Sequence, residues 1–175
     1  ILVCISKAPD TTSKISFSEG NTKFDENGVQ FVVNPYDEWY ALVRALELKE
    51  AGGGQVTIIT VGGIADDAII RKALAIGADN AVRIDTEPKD AYNAAMQIAA
   101  YAKENSFDLI LTGKETINYN GSQLGGMLAE GLDLPFLSLA TKLDVSGSTL
   151  TAEREIIGGV QVVEVEAPAV ISLSL

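Results

Sequence analysis

The sequence predicts an α/β fold: a Rossmann-like, doubly wound, mostly parallel sheet with a peripheral β-hairpin and a β-rich C-terminal part, in one domain spanning residues 1–175. Three observations predict it. Continuous apolar runs such as Ile1-Leu-Val-Cys-Ile5 and Phe107-Asp-Leu-Ile-Leu111 read as strands covered on both faces. Between residues 55 and 131 such runs alternate with helical stretches, the pattern of βαβ units with right-handed crossovers. At 175 residues and 47% hydrophobic, the chain supports one domain with a real core, not two.

Taken in order, Ile1–Ile5 is the first strand, broken by Pro9-Asp-Thr-Thr12. Lys14–Ser18 and Phe31–Val33 form the peripheral hairpin, with Gly20-Asn21 and Asn27-Gly28 as turn signals. Asn34 then caps a helix, with Pro35 at its first position and Asp37 and Glu38 in its first turn. Trp39, Leu42, Val43 and Leu46 make its apolar stripe, and Gly52-Gly-Gly54 ends it. Gln55–Val61 is a strand and Ala65–Ile76 a helix stopped at Gly77. Ala81–Ile84 is a strand and Ala91–Asn105 a helix. Phe107–Leu111 is a strand and Gly121–Gly131 a helix. Beyond Pro135 the pattern returns to β, with strands at Leu137–Leu143, Thr149–Ile156, Val160–Glu166 and Ala169–Leu173.

Composition removes several classes of function. A net charge of −11 excludes nucleic acid as a partner, because phosphate backbones demand a basic face. The absence of histidine takes away the usual metal ligand and neutral-pH general base, which argues against metalloenzymes and serine–histidine hydrolases. The single cysteine, Cys4, allows no internal disulfide and, inside an apolar run, reads as a buried inert thiol. No apolar run reaches the roughly 20 residues of a transmembrane segment. With no signal pattern in view, the expected location is the cytoplasm of a bacterium. Neither G-x-G-x-x-G nor G-x-x-x-x-G-K-[ST] occurs, which disfavours nicotinamide-type dehydrogenases and P-loop enzymes.

Three junctions fall at the carboxyl edge of the sheet, where doubly wound folds bind ligands: Asn34-Pro-Tyr-Asp37, Val61-Gly-Gly63 and Gly113 to Gly126. The end of the first strand, Cys4 to Lys7, lies beside them. They carry small residues, amides and hydroxyls rather than paired acids and bases. Gly113 and Gly121 let backbone approach a ligand, and the following helix start offers N–H groups to an anion such as phosphate. Dispersed acids such as Asp10, Asp37 and Glu38 read as capping or solvated residues. Arg154, between Glu153 and Glu155, reads as paired on a surface or interface face.

Six pieces recur in one order: Leu2-Val-Cys-Ile-Ser-Lys-Ala-Pro-Asp10, Val33-Asn-Pro-Tyr-Asp-Glu38, Leu46-Glu-Leu-Lys-Glu50, Arg71-Lys-Ala-Leu-Ala-Ile-Gly-Ala-Asp79, Gly113-Lys-Glu-Thr-Ile117 and Glu153-Arg-Glu-Ile-Ile-Gly-Gly159. Together they resemble the β subunit of electron transfer flavoprotein across essentially the whole chain. The resemblance implies a fold of the adenine-nucleotide-binding type and a heterodimer with an α subunit that carries FAD. Such a heterodimer takes electrons from dehydrogenases, acyl-CoA dehydrogenases of fatty acid β-oxidation among them, and passes them to a quinone-reducing oxidoreductase. The β subunit is then an electron-carrier subunit without catalytic residues, burying an AMP that supports assembly.

By matching position, Cys4 and Ser6 line the adenine side and Asn34, Pro35, Tyr36 and Asp37 the nucleotide. Val61 meets adenine or ribose. The stretch Thr116, Ile117, Asn118, Asn120, Gly121, Ser122, Gln123, Leu124, Gly125 and Met127 holds ribose and phosphate, with Gly113 as the binding-loop residue that lets the backbone come close. The resemblance also implies a C-terminal partner-wrapping arm beyond Leu175. Two alternatives stand beside this reading. One is a bifurcating subunit that binds a second FAD in place of AMP and oxidises NADH; the other is a universal-stress-like nucleotide-binding homodimer.

Overall fold

The computed structural model describes residues 1–174. Its centre is a six-stranded sheet built from β1 (Leu2–Cys4), β6 (Thr57–Val61), β7 (Asn80–Ile84), β8 (Leu109–Gly113), β9 (Phe136–Ala140) and β13 (Ala169–Leu173). The spatial order is β7-β6-β1-β8-β13-β9, with every neighbouring pair parallel. Chain order runs outward from β1 to β7 on one side and restarts at β8 on the other. The gap between the carboxyl ends of β1 and β8 is therefore the switch point, where doubly wound sheets hold ligands.

Alternation along the strands divides the core between two faces. Val3, Ile58, Leu111 and Ile171 pack with Ala41, Leu42 and Ala45 of α1 (Asp37–Gly52) and with Ile69 and Ala73 of α2 (Asp67–Ala75). Leu2, Cys4, Ile59, Ile110 and Val170 pack with Ala95, Ile98 and Ala99 of α3 (Ala91–Glu104) and Leu128 of α4 (Leu124–Leu132). Helices on both faces explain why the strands read as unbroken apolar runs. The Asp90 side chain caps α3 by accepting from Asn93 N at 2.7 Å, and Gly53 ends α1 at φ 79°.

Four local expectations are corrected. Phe31–Val33 (β5) pairs antiparallel with Lys7–Pro9 (β2), while the peripheral hairpin is Phe17–Ser18 (β3) against Lys23–Phe24 (β4). The first helix begins at Asp37, not after Asn34, because Tyr36 at φ 68° holds the chain out of the helix for two more residues. Its buried stripe is Glu38, Ala41, Leu42 and Ala45, with Trp39 and Leu46 packed beside it. Helix α4 starts at Leu124, so Gly121 to Gln123 remain loop.

The expected strand Leu137–Leu143 is two strands. Leu139 takes φ 60° and donates its N–H to Ser172 Oγ at 3.1 Å, at a register shift in the pairing with β13 just before β9 ends at Ala140. After Thr141 the chain enters a separate antiparallel sheet of β10 (Lys142–Ser146), β11 (Thr149–Ile156) and β12 (Gly159–Glu166). Leu143, Leu150 and Ala152 pin that sheet to the α1 side of the core. Arg154 donates to Gln161 Oε1 at 2.7 Å and to Ser138 Oγ at 3.3 Å, so its partners are these neutral groups, not the flanking glutamates. No helix among the described residues is long and apolar enough to cross a membrane.

Candidate functional site

A cleft of about 260 Å³ opens at the switch point, between the turn that enters α1 and the loop that leaves β8. Pro35, Tyr36 and Asp37 form one wall; Lys114, Glu115, Thr116, Ile117 and Asn120 form the other. The left-handed φ of 68° at Tyr36 is costly for a side-chain-bearing residue, and such strain gathers at ligand sites.

Glycine at 113 lets the walls meet. A Cβ there would lie 2.7 Å from the Glu38 backbone nitrogen, so any other residue would push α1 away from β8. Just beyond, Lys114 N donates to Leu173 O at 2.7 Å, which fixes where the loop leaves the sheet. The Lys114 ammonium lies 3.2 Å from Glu115 Oε1 and 3.9 Å from Asp37 Oδ2, offsetting two carboxylates at the mouth.

Asn34 ties the walls from behind. Fully buried, it donates from Nδ2 to Asn118 Oδ1 at 2.9 Å and to Ser6 Oγ at 3.2 Å, and accepts at Oδ1 from Ile117 N at 2.9 Å. Behind Ser6 sits Glu38, also buried. Its Oε2 accepts from Ser6 N at 2.6 Å, and the Ser6 hydroxyl lies 2.9–3.0 Å from both carboxyl oxygens. Burial pushes the Glu38 carboxyl up to about 8, with the Asp37 charge adding to the rise and the Ser6 donors opposing it. Glu38 thus departs from its expected place among solvated or capping acids.

A second cleft, of about 290 Å³, lies across the same loop and is lined by Pro9, Asp10, Thr11, Ser13, Ile15, Ile117 and Asn118. Ile117 faces both. The loop continues through Asn120 and Ser122, each at φ 50°, into right-handed Gln123. Changes of backbone handedness of this kind gather N–H groups into an anion-binding concavity. The first turn of α4 follows, whose Leu124, Gly125 and Gly126 N–H groups have no intrahelical acceptors.

Among the residues expected from the sequence, Pro35, Tyr36, Asp37, Thr116, Ile117 and Asn120 come together in the first cleft, and Asn118 lines the second. Ser6, Asn34 and Gly113 support the walls from behind. Gly121, Ser122 and Gln123 are exposed on the loop. Cys4 is buried at 2% exposure on the α3–α4 face, its thiol raised by that burial and then by Glu38. Val61, Leu124 and Met127 pack against the same core cluster, and Gly125 is buried against Phe136 and Thr112, so these line neither cleft. Lys114, Glu115 and Glu38 were not singled out as binding residues. Lys114 and Glu115 adjoin the glycine turn, the one local signal that could have found them.

These residues make a polar cleft of small-molecule size. The cleft is close to the roughly 300 Å³ lower end of small-molecule pockets, and its walls offer the Asn120 amide, the Tyr36 and Thr116 hydroxyls, the Lys114 ammonium and the Asp37 and Glu115 carboxylates. No group of three or more acidic or cysteine side chains placed for a metal occurs among the described residues.

Comparison with known proteins gives a consistent result. The family profile described as "Electron transfer flavoprotein domain" matches residues 21–175. The chain is 36% identical over 98% of its length to "Electron transfer flavoprotein subunit beta" of Bacillus subtilis (strain 168), covering 67% of that protein. It is 35% identical, again over 98%, to the protein of the same name from Syntrophomonas wolfei, covering 68% of it. "Protein FixA" of Azotobacter vinelandii is 32% identical over 98% of this chain, which covers 64% of that relative. The chain therefore spans about two thirds of the length of these relatives.

Proposed function

The chain belongs to the electron transfer flavoprotein family, among its β subunits, and we propose that it holds an AMP as a structural nucleotide while pairing with a FAD-bearing α subunit. The observation that carries this reading is the meeting of the Pro35–Asp37 turn and the Lys114–Asn120 loop at the switch point, tied by Asn34. Such a site binds and orients; it has no nucleophile–base pair with which to cut. Thr116 and Asn120 take the ribose hydroxyls, and the Ser122–Gly126 amides take the phosphate. The α-subunit flavin supplies the redox chemistry. The heterodimer carries electrons from a dehydrogenase, of the acyl-CoA class, to a quinone-reducing oxidoreductase, in the bacterial cytoplasm.

The test is calorimetric titration of AMP into the nucleotide-stripped heterodimer. One site per heterodimer is expected, weakened about tenfold by Asn120→Ala through loss of a polar contact. A heterodimer that takes up no AMP contradicts the reading.

The second cleft favours one further possibility, a second FAD in place of AMP. Burying an isoalloxazine ring needs extra room beside β1, and the space walled by Pro9, Thr11 and Ile15 adjoins the nucleotide cleft across Ile117. That reading predicts a second flavin reduced by NADH in anaerobic spectra. A single-flavin complex inert to nicotinamide contradicts it.

A further inference from the structure

A hydrogen-bonded relay of five groups runs through the wall of the cleft: Glu38 carboxyl, Ser6 hydroxyl, Asn34 amide, Ile117 N–H and Asn118 amide. It joins the first turn of α1, the end of β1, the residue after β5 and the loop after β8. Resting on the nucleotide-binding reading above, we propose that Glu38 is a proton-linked positioning residue of this cleft: the charge state of its carboxyl sets the direction of the Ser6 hydroxyl proton and decides whether an anion lies behind the Asn34-tied wall.

The hydrogen count of the relay requires two arrangements. With the carboxyl ionised, Ser6 N–H and O–H both donate to it, while Asn34 Nδ2 donates to Ser6 Oγ. The serine proton is then committed inward. With the carboxyl protonated, its own O–H donates to Ser6 Oγ across the 3.0 Å separation from Oε1. The serine oxygen then accepts from Glu38 and Asn34 together, and its own proton is released from the pair to donate toward the loop or a ligand on it. The ionised form also places an anion behind a site proposed to hold phosphate, so both effects weaken nucleotide binding as the proton leaves.

The charged and titratable groups around Glu38 do not neutralise it. Asp37, its neighbour on α1, adds negative charge, and the Cys4 thiol on β1 sits nearby with its own ionisation suppressed. Lys7 on β2 is engaged by Asp66 at 2.9 Å. Lys114 after β8 is engaged by Glu115 and Asp37. Removal of Glu38 from water without a cation keeps its proton in place to about pH 8, so the switch falls within an accessible range.

The experiment titrates AMP into the nucleotide-stripped heterodimer of full-length chains between pH 6.5 and 9.5. In the parent, the dissociation constant should rise once pH passes about 8, by up to about tenfold per pH unit, as one linked proton requires. Glu38→Gln imitates the protonated acid, so that rise should vanish; Ser6→Ala, which removes the hydroxyl but leaves the titrating charge, should make it shallower. Equal pH profiles in the parent and Glu38→Gln would overturn the proposal while leaving AMP binding intact. If AMP binds at no pH, the nucleotide reading fails separately, and nuclear magnetic resonance without nucleotide still decides the relay. A carboxyl signal absent from Glu38→Gln should titrate together with the Asn34 side-chain amide, which donates to the reorienting Ser6 hydroxyl; an Asn34 amide indifferent to that titration overturns the proposal.

Discussion

At the scale of single residues, two buried polar side chains organise the cleft, and each makes a prediction that needs no ligand. The native state holds the Glu38 proton to about pH 8, whereas an unfolded glutamate releases it near 4.5. Between those values the native state binds more protons, so this group's contribution to stability falls as pH rises through the window and is level above it. The loss is on the order of 4 kcal/mol, and Glu38→Gln should remove it from urea unfolding curves run at pH 5, 7 and 9. A parent-minus-variant difference that stays constant with pH would contradict the assignment. Asn34→Ala should cost about 1–3 kcal/mol, because it leaves the Ile117 N–H and the Asn118 amide without their partner. Hydrogen exchange at Ile117 should then approach that of an exposed loop.

At the scale of elements, the close contact between the end of β8 and the start of α1 depends on Gly113. Gly113→Ala places a Cβ 2.7 Å from Glu38 N and should destabilise by about 1–3 kcal/mol as α1 shifts. Gly121, on the open loop with nothing within 4 Å of an added Cβ, is the control; Gly121→Ala should change unfolding by less than about 0.5 kcal/mol. Apart from β9, which the sequence merged with β10, the sheet strands, α2 and α3 were legible because hydrophobic period and Gly stops are local signals. The entry to α1 was misread for a physical reason. Asn34-Pro35 carries the composition of a helix cap, but the Asn34 side chain is claimed by Ser6 and Asn118, 28 and 84 residues away. Likewise β5 chose β2 rather than the hairpin, a choice between short strands that local alternation cannot express. Glu38 read as solvated because charge usually implies water; only the closure of β1 and β8 over it makes it buried.

At the scale of the whole molecule, the doubly wound order places the cleft at the crevice that the topology opens, and the β10–β11–β12 sheet packs on the α1 side of the core. The net charge of −11 gives the chain a field that favours a basic partner surface. Stopped-flow association with the α subunit should therefore slow as salt rises from 0.05 to about 0.5 M, where screening shortens to a few ångströms. A salt-independent rate would contradict electrostatic steering. If the switch-point cleft holds a structural adenine nucleotide, the heterodimer as purified should carry it. Heat release of its bound ligands, identified by mass and counted against protein, should give one AMP and one FAD per heterodimer. A preparation that carries FAD but no adenine mononucleotide, whether one FAD or two, would contradict the account.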